Sequence, residues 1–185
     1  MGQDKALLPF LSKPLISRVI SRVANLADEV LVTTNAPENY GFLNLPLVPD
    51  VYPGRGALGG LYTALNAAGQ PFVGVVACDM PFVNPDLLKA ELDLLVHTGC
   101  DAAMPQVGEG TEPFHAVYRR DTCLPAIRAA LQAEKWRVNS WFPDVNMRYL
   151  SPEEILEHDP RKLAFWNVNT PEEFHRAEQM ADEEM

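Results

Sequence analysis

The sequence is short of positive charge and has no long apolar run, and each shortage disfavours a class of function. Its 185 residues include 15 Lys and Arg against 25 Asp and Glu, which gives a formal net charge of −10. Surfaces that bind nucleic acid are basic, and a membrane span needs a far longer apolar stretch. We therefore expect neither nucleic acid nor a membrane as a partner. A small anionic substrate is compatible with this charge if its pocket is locally basic.

Cysteine and histidine are also scarce. The three cysteines, Cys78, Cys100 and Cys123, are odd in number and widely spaced, and the four histidines are dispersed. No pair has the spacing of a zinc site, so we expect reduced thiols in a cytoplasmic protein. The opening residues, MGQDKALLPF, show none of the basic, apolar and small-residue regions of a secretion signal.

Hydrophobic residues make up 47% of the chain and charged residues 22%, which is typical of a globular protein. The length favours one domain over residues 1–185. No internal repeat, low-complexity tract or Gly/Ser-rich linker marks a domain boundary.

Short β-branched segments alternate with segments of helical periodicity along the chain. Strands are predicted over residues 29–34, 45–49, 72–77, 101–105, 113–119, 147–150 and 164–168. Helices are predicted over residues 14–27, 57–68, 85–96, 122–133 and from 171 onward. This alternation favours an α/β fold, a three-layer sandwich around a mostly parallel sheet. Ligands of such sheets bind outside the carboxyl ends of the strands.

Several of these strand ends carry polar side chains. Asn35, Asp50, Asp79 and Asn169 each follow an apolar run. Asp79 lies in the sequence CDMP and is suited to Mg2+, which prefers oxygen ligands and keeps substrate phosphates as partners. Asp and Pro also favour simple turns, and a purely structural turn explains this segment equally well.

Two other segments carry weaker signals. Gly2 and Lys5 could approach a phosphate, or they could belong to a solvated terminus. Asn167 and Asn169 flank one apolar residue, so at most one of them faces a crevice if the strand continues. Helix capping by the following Thr-Pro-Glu-Glu alone would explain much of that motif.

The segment Gly54–Gly59 contains the pattern G-x-G-x-x-G before a predicted helix, which indicates dinucleotide binding and an NAD-dependent oxidoreductase. Three residues separate the preceding strand end from Gly54, which spoils the tight strand-to-helix turn. Glycines that allow close packing of helix and sheet are an equally good explanation.

The order of these motifs is more specific than any one of them. The chain resembles the molybdenum cofactor guanylyltransferase family from Gly2 to about Arg176. The resemblance is carried by the series MGxDKALL, KPLI, VPD, PGxGALGG, CDMPF, FHAVY and NVNTPEE. It implies a Rossmann-like nucleotidyltransferase fold and Mg2+-dependent transfer of GMP from GTP to molybdopterin, with release of pyrophosphate.

The resemblance also implies roles for individual residues. It makes Lys5 and Asp79 catalytic, with Lys5 on the GTP phosphates and Asp79 on Mg2+. It places the molybdopterin side near Asn167 and Asn169. The residues implied to bind the nucleotide are Gly2, Lys5, Asn35, Asp50, Gly56 and Asp79.

The chain departs from the family pattern at its start. Family members begin with an apolar strand and a loop of the type LAGGxSxRMG, and this sequence starts at the Met-Gly that closes such a loop. We expect a start at an internal methionine, or a removed N-terminus. If the chain is complete, we expect weakened or absent transferase activity and unpaired central edges in the sheet.

Other functions remain open at this point. A molybdopterin cytidylyltransferase or a sugar-phosphate nucleotidyltransferase would share the motifs, with a different base or acceptor. The NAD-dependent oxidoreductase stands on Gly54–Gly59. A non-catalytic partner of molybdoenzymes would bind a protein or molybdopterin without releasing pyrophosphate. A molybdoenzyme or a cofactor-delivery protein is an expected partner of the enzyme itself.

Overall fold

The computed structural model describes residues 4–183, in which helices pack on both faces of a sheet. The helices are α1 (Leu15–Val23), α2 (Gly56–Ala67), α3 (Pro85–Thr98), α4 (Arg120–Gln132), α5 (Pro152–His158) and α6 (Pro171–Asp182). The strands are β1 (Pro9–Phe10), β2 (Lys13–Pro14), β3 (Val32–Thr33), β4 (Leu47–Val48), β5 (Phe72–Val76), β6 (Ala102–Val107), β7 (Gly110–Thr111), β8 (His115–Arg119) and β9 (Met147–Leu150). No helix in this range has the length and apolar character required to cross a membrane.

The main sheet runs in the order β5-β8-β6-β9, and β7 forms a hairpin with the end of β6. Strand β8 is antiparallel to both β5 and β6, whereas β6 and β9 are parallel. Strands β5, β6 and β9 therefore point the same way, and β8 is reversed between them. A separate parallel ladder joins β3 to β4. Within residues 4–183, no ladder links β3 to β5.

Strand β8 shows how the sheet is covered. Ala116 and Tyr118 on one face pack into a cluster with the apolar residues of α2 and α4. Val117 points to the other face and packs with α3. This alternation is the side-chain period of a strand that is buried on both faces. The α/β class and the three-layer arrangement predicted from the sequence are confirmed.

Two local predictions need correction. Residues 164–168, predicted as a strand, are turn and irregular backbone. The backbone is held instead by isolated bonds, such as that from Val168 N–H to the Asp79 carbonyl (3.0 Å), while the side chains of Ala164 and Val168 are buried in apolar clusters. Helix α5 was not predicted, although Ser151 and Glu154 form a reciprocal capping box at its start.

Helix α2 approaches the loop after β4 so closely that even a Cβ at Gly59 would crowd its neighbours. A Cβ at Gly59 would lie 3.0 Å from both the Arg55 Cβ and the Tyr52 carbonyl oxygen. Thr63, fully buried on the same helix, accepts a bond from Val51 N–H (3.0 Å) and donates to the Gly59 carbonyl (2.9 Å). These contacts fix the chain that leads from Asp50 into α2.

Replacing Gly59 by Ala should therefore destabilise the protein, because the Tyr52 carbonyl oxygen and the Arg55 Cβ would have to shift to accommodate the added carbon. The matched control is Gly60→Ala, since a Cβ at Gly60 meets nothing within 4 Å. We expect Gly59→Ala to lower the free energy of unfolding in urea by roughly 1–3 kcal/mol relative to Gly60→Ala. Gly60→Ala itself should be neutral or stabilising by up to about 1 kcal/mol. Equal stability of the two variants would contradict the close approach.

A buried pair of titratable side chains, Glu91 and His115, lies between α3 and the start of β8. His115 Nδ1 is 2.9 Å from Glu91 Oε1, and both side chains are fully buried. The Asn84 backbone N–H donates to His115 Nε2 at 3.3 Å. Nε2 is therefore the acceptor nitrogen of a neutral ring, and Nδ1 carries the hydrogen that faces Glu91. Burial lowers the pKa of His115 to about 4 and raises the pKa of Glu91.

The pKa of His115 makes stability depend on pH. Between its usual value of 6.5 and about 4, the unfolded chain takes up a proton that folded His115 does not. The stability that the neutral ring contributes is therefore lost as the pH falls through this window. The raised pKa of Glu91 acts in the opposite sense. Folding favours the protonated carboxyl, so the stability that Glu91 contributes is lost as the pH rises.

We expect His115→Gln to remove the histidine contribution, because Gln keeps an acceptor and a donor but does not titrate. Between pH 7 and pH 4, wild type should lose up to about 3 kcal/mol more of its unfolding free energy than the variant loses. Urea unfolding at several pH values measures this difference, and Glu91 is common to both proteins. Parallel pH profiles for the two proteins would rule it out.

Candidate active site

Three residues from distant parts of the sequence meet at the carboxyl end of β5. Lys5 Nζ lies 3.3 Å from Asp79 Oδ2 and 2.7 Å from Asn169 Oδ1. The Lys5 and Asp79 side chains are 31% and 22% exposed, so the cluster is open to solvent but partly shielded. The sequence predicted each of these residues separately as a site residue, and the fold brings them together as one cation with two oxygen-bearing partners.

A short 3-10 turn, Lys5–Leu7, positions Lys5. Asp4 Oδ1 caps this turn by accepting the Ala6 N–H at 3.1 Å, and Asp4 Oδ2 accepts the hydroxyl of Tyr40. Burial and the neighbouring Asp4 carboxylate raise the pKa of Tyr40, so the phenol remains a donor. The contact with Tyr40 ties Asp4, directly before Lys5, to the chain that follows β3.

Asp79 follows β5 with only Ala77 and Cys78 between them. Cys78 is exposed as a residue, whereas its thiol is partly buried. This partial burial, with the charges of Asp79 and Asp4, raises the pKa of the Cys78 thiol to about 11. The thiol is thus neutral near pH 7 and a poor nucleophile. The charged groups at this end of β5 are therefore Asp79 and Lys5.

Asn169 is fixed by the capping box of α6. Thr170 Oγ1 accepts the Glu173 N–H at 3.1 Å, and Glu173 Oε2 accepts the N–H groups of Asn169 and Thr170 at 2.8 and 3.0 Å. These backbone donors lower the pKa of Glu173. The backbone of Asn169 is thereby held, while its side-chain oxygen accepts the bond from Lys5. The predicted capping box is confirmed.

Asn167 lies two residues before Asn169, but its side chain bonds to the backbone of Phe165. Its Nδ2 donates to the Phe165 carbonyl at 3.4 Å, and within residues 4–183 it makes no bond to Lys5 or Asp79. Because the segment is not a strand, strict alternation does not apply here. The expectation drawn from strand alternation is therefore not tested; Asn169 contacts Lys5, and Asn167 does not.

The ends of β3 and β4 carry a second polar group. Asn35 Nδ2 donates to Asp50 Oδ2 at 2.8 Å, and the Asp50 N–H donates to Asn35 Oδ1 at 2.9 Å. The two bonds run in opposite directions, so each side chain fixes the other. Because Asn35 is exposed and Asp50 is partly exposed, the pair presents a carboxylate and a carboxamide to solvent.

Gly56 begins α2 with φ +56°, a left-handed conformation that side chains rarely adopt. It is exposed, so the backbone at this helix start is open to solvent. Gly2, which the sequence also predicts as a nucleotide-binding residue, lies outside the described residues.

The oxygen atoms around Lys5 suit a hard divalent cation. Among residues 4–183 there is no group of three or more His, Cys, Asp or Glu side chains that could hold a metal ion together. Asp79 provides a carboxylate and Asn169 a side-chain carbonyl oxygen. Mg2+ usually takes one or two carboxylates and completes its shell with water and substrate phosphates. The residues present therefore fit Mg2+ that shares a bound polyphosphate.

Comparison with known proteins decides the class of enzyme. The profile of the MobA-like NTP transferase domain matches residues 1–143. The chain belongs to this nucleotidyltransferase family. A protein of Pelotomaculum thermopropionicum, named "Probable molybdenum cofactor guanylyltransferase", is 37% identical over 98% of this chain and 87% of its own length. The molybdenum cofactor guanylyltransferase of Desulfosudis oleivorans is 30% identical over 96% of this chain and 87% of its own length.

Solved structures share the MobA-like fold. Molybdopterin-guanine dinucleotide biosynthesis protein A from Archaeoglobus fulgidus superposes with a TM-score of 0.84 at 24% identity, over 98% of this chain and 92% of that chain. The 2-C-methyl-D-erythritol 4-phosphate cytidylyltransferase from Thermus thermophilus gives 0.72 at 17% identity, over 96% and 94%. The family resemblance and the Rossmann-like nucleotidyltransferase fold predicted from the sequence are confirmed.

The glycine segment now has a structural explanation. An NAD-dependent oxidoreductase is not the class to which this chain belongs. Gly54 and Gly56 adopt positive φ in the loop, and Gly59 permits the close approach of α2 to Tyr52. The pattern G-x-G-x-x-G therefore arises here from loop conformation and helix packing.

Asp4 and Tyr40, two residues that support the turn carrying Lys5, were not predicted from the sequence. Asp4 was not singled out, although an Asp two residues before Ala6 is a common cap of a short turn. Tyr40 gave no signal, because its bond to Asp4 joins residues that are 36 positions apart. Only the fold reveals such contacts.

Proposed function

We propose that this nucleotidyltransferase transfers GMP from GTP to molybdopterin and releases pyrophosphate. The observation that carries the proposal is the contact of Lys5 with Asp79 and Asn169 at the carboxyl end of β5. A strand end in an α/β sheet is where ligands bind, and this one offers a cation beside oxygen ligands. Relatives that are similar over nearly the whole chain are named for molybdenum cofactor guanylyl transfer, which supports the same substrates here.

The reaction needs no protein nucleophile. A terminal phosphate oxygen of molybdopterin attacks the α-phosphorus of GTP, and the bond from that phosphorus to the bridging oxygen of the β-phosphate breaks. The electron pair leaves with pyrophosphate. Catalysis then consists of alignment and of charge neutralisation around the phosphates. Lys5 is suited to offset the negative charge that develops on the leaving group.

Asp79 and the side-chain oxygen of Asn169 are the residues that would hold Mg2+. When bound, the ion would neutralise phosphate charge and orient the triphosphate. Asp79 otherwise serves as the partner that keeps the Lys5 ammonium at the strand end. Because both substrates are anions and the chain is acidic overall, this local cation is needed to bring them together.

The Asn35–Asp50 pair is proposed to face the base. A carboxylate can accept both the ring N–H and the exocyclic amino group on one edge of guanine, whereas cytosine has no ring N–H on the corresponding edge. Asp50 therefore favours GTP over CTP, and Asn35 fixes its orientation. Gly2 and Gly56 are proposed to add backbone contacts with the nucleotide. Asn167 and Asn169 would lie toward molybdopterin.

We place this activity in one nucleotidyltransferase domain over residues 1–185, in the cytoplasm. The three free cysteines support a reducing compartment. A cofactor-delivery protein or a molybdoenzyme that receives the product is the proposed protein partner.

A pyrophosphate-release assay with molybdopterin and Mg2+ tests the function. We expect GTP to support turnover, with CTP and ATP at least about tenfold poorer, because a pocket built on specific polar contacts rejects ligands that leave those contacts unpaired. Turnover should disappear when Mg2+ is removed with a chelator. Equal rates with CTP would point instead to a cytidylyltransferase.

The same assay tests the assignment of Asp79. The variant Asp79→Asn keeps the size of the side chain but removes its charge, and we expect turnover to fall by about 100-fold or more. The control is Asp93→Asn, because Asp93 is an exposed carboxylate on α3 away from the cluster. Wild-type turnover in Asp79→Asn would remove Asp79 from the mechanism.

Binding of GTP tests the assignment of Lys5. Replacing Lys5 by Gln removes the ammonium that lies between Asp79 and Asn169, and we expect the Kd for Mg2+-GTP to rise roughly tenfold or more. Isothermal titration calorimetry gives this value, with Lys89→Gln as the control because Lys89 is exposed on α3. An unchanged Kd in Lys5→Gln would show that Lys5 does not contact the phosphates.

A further inference from the structure

The cluster of Lys5, Asp79 and Asn169 depends on three chain segments that meet beneath it. Lys5 belongs to the segment that continues through β1 and β2 into α1, Asp79 opens the turn of residues 79–84, and Asn169 precedes α6. All three segments contribute to one buried apolar cluster, here called the junction core. Its members are Phe10, Leu15, Phe82, Val168, Ala177 and Ala181.

Arg18 on α1 connects the first two segments directly. Its Nε donates to the Pro81 carbonyl at 2.8 Å, two residues after Asp79. Its guanidinium lies 5.4 Å from the centroid of the Phe10 ring and 5.5 Å from that of Phe82. One side chain therefore contacts the segment that carries Lys5 and the turn that carries Asp79 through a charge-assisted bond and two cation–π contacts.

Two other contacts hold the same turn further along. Arg22, one helical turn after Arg18, donates from Nε to the Val83 carbonyl at 2.7 Å. The Asn84 N–H donates to His115 Nε2 at 3.3 Å. The turn after Asp79 is thus held from α1 on one side and from β8 on the other. Among these three contacts the one made by Arg18 lies nearest to Asp79 in sequence, while Val168 N–H binds the carbonyl of Asp79 itself.

We propose that Arg18 is a positioning residue for the Lys5–Asp79 pair. By fixing the Pro81 carbonyl against α1, it sets the distance between the Asp79 carboxylate and the Lys5 ammonium. The consequence for catalysis rests on the guanylyl transfer proposed above, but the geometric role does not. Lysine cannot replace Arg18, because an ammonium lacks the planar group and the Nε–H that make these contacts together.

The test compares Arg18→Lys with Arg128→Lys. Arg128 on α4 makes contacts of the same kind, with Nε 3.0 Å and Nη2 2.8 Å from the Tyr62 hydroxyl, on the opposite face of the sheet. We expect Arg18→Lys to lower kcat by about 10- to 100-fold through misalignment, with a much smaller change in KM for GTP. The apparent Mg2+ requirement should rise in parallel. Kinetics identical to those of Arg128→Lys would overturn the proposal.

A second readout does not depend on any enzymatic activity. Cys78 is the exposed cysteine beside Asp79, whereas Cys100 and Cys123 are buried. Because the turn after Asp79 loosens in Arg18→Lys, we expect iodoacetamide to alkylate Cys78 several-fold faster than in wild type or Arg128→Lys. Mass spectrometry of the labelled peptides separates the three sites.

The two readouts distinguish the possible failures. Faster alkylation confined to Cys78 supports the positioning role, even if wild type shows no guanylyl transfer and the proposed function fails. An unchanged Cys78 rate overturns the role. Simultaneous labelling of Cys78, Cys100 and Cys123 in Arg18→Lys would show that Arg18 supports the whole fold, which also overturns it.

Discussion

The ion pair of Lys5 and Asp79 joins residues that are 74 positions apart, and it forms only if the segment before α1 lies against the end of β5. An exposed ion pair contributes little stability by itself. Its geometry must therefore be imposed by other contacts, above all the junction core and the arginines of α1. The proposed active site is thus a consequence of how three segments dock, and the charged residues occupy positions that this docking defines.

Much of the site could be predicted because polar residues directly follow apolar runs. Asp50 and Asp79 could be assigned to strand ends from local sequence, and the capping box around Thr170 from the types and spacing of its residues. Pairing among the predicted residues could not be assigned. Whether Lys5 meets Asn167 or Asn169 depends on the path of residues 164–168, and that path is set by contacts such as Val168 with Asp79.

For the fold, the class could be predicted from the sequence, but the directions of the strands could not. Alternating strands and helices indicated an α/β sandwich, but strand direction depends on partners far away in the chain. Nothing within His115–Arg119 reveals that this strand runs against β5 and β6. Helix α5 escaped prediction because it is a single short stretch, Pro152–His158, whose apolar face is too brief to show a period.

The reversed strand β8 has a consequence for the rim of the molecule. Helix α4 starts at the amino end of β5, where the Arg120 N–H donates to the Pro71 carbonyl, and it returns the chain to the opposite rim. There the Arg55 guanidinium, at the start of α2, lies 4.0 Å from the centroid of the Trp136 ring. Residues 133–146, which connect α4 to β9, thus border the proposed nucleotide site and belong to no ladder. Insertions or deletions in this connection can reshape the rim beside the start of α2 without changing the register of the strands.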